Sequence, residues 1–125
     1  MQFVASLVYT TFFLLFTFLY AIFFVVVAPF MPLRARFRLA FAWGTVLLFA
    51  LKVICRLDYR VEGRENLPSE PSIVLMKHSS SWETFAQAAL LPPQAWVLKR
   101  ELTWIPFVGW GIRLLRSIAI DRGAG

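Results

Sequence analysis

The chain has 125 residues with 13 basic and 7 acidic side chains, a net charge of +6 and 59% apolar residues. An ordinary soluble domain holds about 45–50% apolar residues, so this balance argues against a plain soluble globular protein and for the membrane class. One cysteine, Cys55, and one histidine, His78, exclude an internal disulfide and a zinc site of ordinary ligand count, so no metal is expected.

The first third carries the apolar excess. Positions 3 to 33 hold no charged residue, and every charge falls between Arg34 and Arg122. A helix over Phe3–Phe30 would be about 42 Å long at ~1.5 Å per residue, enough to span a bilayer core of about 30 Å with tilt. It exceeds the core of a secretory signal and lacks its basic start and small-residue cleavage site. A chain this short cannot wrap such a helix in a soluble core. Pro29 and Pro32 end it, because proline removes a donor and clashes inside a helix. Arg34, Arg36 and Arg38 follow, and basic flanks favour the cytoplasmic side, with Met1 towards the other. A second helix is expected over about 33–56. Its uncharged run, Leu39–Leu51, is 13 residues, about 20 Å and short for a span. It reads as an interfacial or re-entrant helix packed on the first, with Trp43 near the headgroups; a second full span with snorkelling ends is the alternative. Residues 1–56 are therefore expected to form a membrane-embedded helical hairpin.

The texture changes at Leu57. Asp58–Glu62 alternates like a half-exposed strand. Residues 63–71 are turn-rich. Ser72–Met76 is a short apolar run suited to a buried strand. A helix is predicted over Trp82–Leu91, closed by Pro92 and Pro93. A buried strand over Ala95–Leu98, a helix over Pro106–Leu115 and a strand over Ser117–Asp121 complete the order. Strands alternating with helices imply an α/β domain with some parallel pairing. Residues 57–125 make a small domain against the usual ~100–150 residues, and an incomplete one is expected.

His78 and Glu83 are the strongest chemical candidates. A neutral imidazole can take a proton from a hydroxyl near pH 7, and a nearby carboxylate can orient it and stabilise the imidazolium. They sit where a strand passes into a helix, a common place for catalytic groups in α/β folds. The alternative is a capping box, Ser80-Ser-Trp-Glu83, with Ser80 as N-cap and Glu83 reaching back to its amide. Ser79, Ser80 and Ser81 lack the Gly-x-Ser-x-Gly context of a hydrolase nucleophile and read as cap and loop residues. The second constellation is Lys99-Arg100-Glu101, with Pro106 and Gly109 behind it. Lys99 and Arg100 can bind a phosphate, Arg as a bidentate fork and Lys as a point charge. The alternative is a solvated basic turn paired with Glu101, with Pro106 and Gly109 as helix punctuation. Should the strands before the two constellations be parallel, both would share one sheet edge. Trp104, Phe107 and Trp110 offer an apolar rim suited to a membrane interface. The positive charge fits anionic headgroups; no nucleic-acid motif is present, so no nucleic acid is expected as partner.

These blocks resemble the bacterial 1-acyl-glycerol-3-phosphate acyltransferases. His78-Ser-Ser-Ser-Trp-Glu83 resembles their His-x4-Asp block, with Glu in place of the commoner Asp. Lys99-Arg-Glu101-Leu102, with Pro106 and Gly109, resembles their Lys-x-Glu-Leu…Pro…Gly block. Val61-Glu-Gly63, Asn66-Leu-Pro68 and Ile120-Asp-Arg122 resemble flanking segments. The family's Phe-Pro-Glu-Gly-Thr-Arg block and a later Pro-containing block are missing, which fits an incomplete domain. The resemblance implies a glycerolipid-acyltransferase-type α/β domain behind the membrane segments. It implies transfer of a fatty acyl group from acyl carrier protein or coenzyme A to the 2-hydroxyl of a lysophosphatidic acid, giving phosphatidic acid. His78 and Glu83 would be catalytic, and Lys99, Arg100, Glu101, Pro106 and Gly109 would serve substrate binding. No cofactor beyond the thioester co-substrate is implied. The expected site is the cytoplasmic face of a bacterial inner membrane. A membrane-anchored relative that binds lipid without catalysis, or an acyltransferase for another lysolipid, is the alternative.

Overall fold

The computed structural model describes residues 2–121 and 123. Helix α1 runs over Gln2–Val27, and a 3-10 turn over Ala28–Phe30 carries Pro29. Helix α2 runs over Leu33–Cys55, entered from Pro32 and left through Arg56 in the left-handed region at φ 55. The two helices form an antiparallel hairpin. The Cys55 thiol donates to the Ala5 carbonyl (3.7 Å), the Tyr9 hydroxyl to Leu47 O (3.4 Å), Trp43 Nε1 to Thr17 Oγ1 (3.2 Å) and the Tyr20 hydroxyl to Leu39 O (2.9 Å). Rising pairs on one helix meet falling pairs on the other, so α2 follows α1 for most of its length. Both helices are long and apolar enough to cross a membrane, and only 11% and 28% of their most apolar windows are buried. Such exposure is opposite to that of a soluble core helix.

Trp43 joins the two helices: its indole N–H donates to Thr17 midway along the hairpin, and its ring packs against a buried cluster there.

Helix α3, Trp82–Leu90, docks on this hairpin. Leu47, Leu48, Phe85, Ala86 and Ala89 form the buried cluster, with Tyr9, Phe13 and Phe16 packed around it. Gly44 makes the approach possible: a Cβ there would lie 2.5 Å from the Phe85 carbonyl oxygen and 3.2 Å from the Ala89 methyl.

The remaining elements form a compact crossover unit. Strand β1 is Val97–Lys99, a 3-10 segment covers Arg100–Trp104, helix α4 is Val108–Leu114 and strand β2 is Ile118–Ile120. The strands pair in parallel, Val97 with Ile118, Leu98 with Ala119 and Lys99 with Ile120. This unit packs on the far half of α1, where Phe24, Ala28 and Leu115 form a second buried cluster with Phe37 and Trp96 against it. Arg36 ties the unit to the hairpin turn by donating to Met31 O (3.0 Å) and Leu114 O (3.1 Å).

Two expected strands are absent. Asp58–Glu62 and Ser72–Met76 run without ladder partners, and Ile73 and Leu75 are 91% and 93% exposed. A strand requires an edge to pair with, and among the described residues the sheet holds β1 and β2 alone. An apolar run signals the wish for burial without specifying its partner. For the same reason the expected burial of Ala95–Leu98 fails at Val97, which is 63% exposed on a two-stranded sheet. The architecture is thus mixed helix with a small parallel sheet.

Candidate active site

The loop Lys77–Ser81 and the first turn of α3 bring His78 and Glu83 together. His78 Nδ1 lies 3.3 Å from Glu83 Oε2. The same carboxylate accepts from the Ser80 amide (2.8 Å) and the Ser80 hydroxyl (3.0 Å) at Oε2, and from the Ser79 hydroxyl (3.3 Å) at Oε1. Ser80 Oγ in turn accepts from the Trp82 amide at 3.2 Å. Half of the expected capping box is therefore present: Glu83 reaches back to Ser80. The reciprocal half is altered, because Ser80 Oγ takes the amide of Trp82 and the N-cap position falls to Ser81, whose side chain makes no cap bond. The two readings of Glu83 turn out to be compatible. An ionised carboxylate has about four lone-pair directions, enough for a helix cap and an imidazole at once.

The electrostatics follow from these partners. Partial burial pushes the Glu83 pKa up, but the amides of Ser80 and Glu83 itself, the Ser80 hydroxyl and His78 outweigh it and hold the pKa at about 2. The N-terminus of α3 also favours an anion at this place. Glu83 is consequently a permanent acceptor near neutral pH. It selects the tautomer with hydrogen on Nδ1 and leaves the Nε2 lone pair available. The side chains are 61% exposed for His78 and 16% for Glu83, so the imidazole is open and the carboxylate is sheltered.

The second constellation sits on other elements. Lys99 ends β1 and its Nζ is 3.1 Å from Glu101 Oε1; Arg100 Nη1 is 3.5 Å from Asp121 Oδ2. The Glu101 carboxyl is lowered by its own backbone amide first and by Lys99 second. Both cations remain about half exposed, at 51% and 54%, and each keeps further donors for a ligand. Gly109 and Pro106 act beneath the surface. A Cβ at Gly109 would lie 2.5 Å from the Thr103 carbonyl, so glycine lets α4 close onto the 3-10 segment. Pro106 leads into Phe107 at φ 61, a value bulky residues seldom adopt, with the ring held edge-on between Phe18 (5.7 Å) and Trp110 (5.1 Å). Glu101, Pro106 and Gly109 thus shape and pair the turn.

The expected shared sheet edge does not form, because Ser72–Met76 joins no sheet. Among the described residues no hydrogen bond or ion pair links the His78 group to the Lys99 group. Sequence reasoning missed Asp121 as the partner of Arg100. The parallel register holds the signal: Lys99 opposite Ile120 puts the next residues, Arg100 and Asp121, side by side. Ser79, a loop residue by its sequence context, also donates to Glu83.

A family model described as Acyltransferase matches residues 58–125. A 1-acyl-sn-glycerol-3-phosphate acyltransferase of Pseudomonas aeruginosa is 43% identical over 97 residues, covering 77% of this chain and 38% of the relative. A protein of the same name from Saccharomyces cerevisiae is 34% identical over 83 residues, covering 64% of this chain and 27% of the relative. The chain therefore spans well under half the length of these curated relatives. No solved structure matches it significantly.

Proposed function

The chain belongs to the acyltransferase family, and from that premise we propose that it carries the general-base part of a 1-acyl-glycerol-3-phosphate O-acyltransferase active site. The observation that carries this reading is the 3.3 Å contact between His78 Nδ1 and Glu83 Oε2, which leaves Nε2 free for a substrate hydroxyl. His78 Nε2 takes the proton of the acceptor's 2-hydroxyl as its oxygen attacks the thioester carbonyl carbon. The tetrahedral adduct collapses, the C–S bond breaks, and the imidazolium returns its proton to the departing thiolate. Glu83 stays ionised throughout and stabilises the imidazolium, as the carboxylate does in a serine-protease triad. The donor is an acyl thioester of acyl carrier protein or coenzyme A. Lys99 and Arg100 are the cations for the acceptor phosphate. Their existing pairing with Glu101 and Asp121 favours a second reading, in which other cations hold the phosphate and these two shape the turn.

The proposed location is the cytoplasmic face of a bacterial inner membrane. The outward side of the hairpin is apolar along its length, with Phe3 at 80%, Leu14 at 60% and Phe49 at 67% exposure, and Arg34, Arg36 and Arg38 lie at its turn. The docking of α3 midway along the hairpin supports insertion into one leaflet instead of a crossing. A crossing would draw the Glu83 carboxylate towards hydrocarbon, where acidic groups are costly. The expectation that Met1 lies towards the other side of the membrane falls on a residue outside those described.

The deciding experiment is acyl transfer by His78→Ala in the full-length protein. Loss of general-base help should lower the rate by ~10²–10⁴ with membrane association unchanged. Undiminished transfer would sink the proposal and favour a lipid-binding relative.

A further inference from the structure

A cavity of about 400 Å³ lies between the first turns of α2 and the loop that joins α3 to β1. Phe37, Phe41 and Leu91 give it apolar walls, and Arg34 and Arg38 line it from one face of α2, being four residues apart. Neither of these arginines forms an ion pair or side-chain hydrogen bond among the described residues, whereas Arg36 between them is spent on Met31 O and Leu114 O.

We propose that this cavity binds an anionic glycerophospholipid. The phosphate lies with Arg34 and Arg38, and an acyl chain follows Phe37, Phe41 and Leu91. Two cations beside an apolar wall match the order of groups along such a lipid. This is not the acceptor subsite of the reaction at His78. The cavity meets the far end of α3, and Glu83 and Leu91 are separated by about 12 Å of helix. In a lysophosphatidic acid the phosphate and the 2-hydroxyl sit on adjacent carbons, so a phosphate held here cannot present its hydroxyl to His78. The bound lipid instead clamps α2, α3 and β1 together at the hairpin turn. The inference stands apart from the acyltransferase reading.

Native mass spectrometry of the detergent-solubilised full chain tests it, with dioleoyl phosphatidylglycerol, dioleoyl phosphatidylcholine and inorganic phosphate as probes. The anionic lipid should be retained in preference to the zwitterionic one, and phosphate should neither be retained nor compete. The double variant Arg34→Gln/Arg38→Gln should bind phosphatidylglycerol about 30-fold more weakly, given the usual strength of a basic side chain near anionic lipid. Ala88→Trp, which fills the cavity with both arginines in place, should expel the lipid as well. Arg60→Gln, an exposed cation paired with Glu62, should change nothing, and His78→Ala should retain the lipid while losing acyl transfer. Equal retention of both lipids, competition by phosphate alone, or full retention by the double variant and by Ala88→Trp would each overturn the proposal.

Discussion

The two halves of the candidate site are built in opposite ways. At His78 and Glu83 the chemistry is local: five residues apart in sequence, they meet through one loop and one helical turn, and two serines complete the arrangement. At Lys99 and Arg100 the chemistry depends on distant sequence: Arg100 meets Asp121 only because β1 and β2 pair, and the turn closes only because α4 folds back through Gly109. The first half rides on α2 and the second on the far half of α1. A local motif can thus be read from spacing, while a motif assembled across a crossover hides its partners.

The largest expected effect isolates the first half. His78→Ala should cost ~10²–10⁴ in acyl transfer, against a small change for Lys99→Gln, and rate assays under saturating donor would show it. Next come the two glycines, each serving one half. Gly44→Ala drives a Cβ to 2.5 Å from Phe85 O, and Gly109→Ala drives one to 2.5 Å from Thr103. Overpacking of this kind costs about 1–3 kcal/mol, so both variants should melt earlier. Hydrogen exchange should loosen α3 in the first and α4 in the second; loosening of the same elements in both would break the division into two units. Glu83→Gln sharpens the role of the carboxylate, because Gln keeps the reach to the Ser80 amide while losing the charge. A clear fall in turnover with α3 still folded supports the orienting role. Full activity would leave Glu83 as a cap alone.

The pH response gives a weaker contrast. The Glu83 pKa falls from an ordinary 4.5 to about 2 on folding. A depressed acid stabilises the fold above its unfolded pKa, and that contribution disappears as pH falls from about 4.5 through about 2. Protection factors of the α3 amides should fall across that window. Glu83→Gln should remove this dependence. Smallest of all, Lys99→Gln breaks an exposed pair with Glu101, worth about 0–1 kcal/mol. Its melting point should barely move, and a raised KM for the acceptor at unchanged kcat would identify Lys99 as a phosphate ligand.

Much of this was legible in the residues. Uncharged length and the two prolines located α1 and its end, a terminal Ser-x-x-Glu pattern located the start of α3, and the His78–Glu83 spacing located the base and its partner. Of that spacing the structure bears out the contact between His78 and Glu83; all of these are consequences of neighbours along the chain: helix period, caps and short reach. What the tertiary structure alone decided were the matters of partnership. It turned Trp43 inward to Thr17, left Ser72–Met76 without a sheet edge, joined Arg100 to Asp121 and stacked α3 on Gly44. Each depends on which distant surface arrives at a given place, and a linear pattern states a residue's preference for burial or charge without naming the group that meets it.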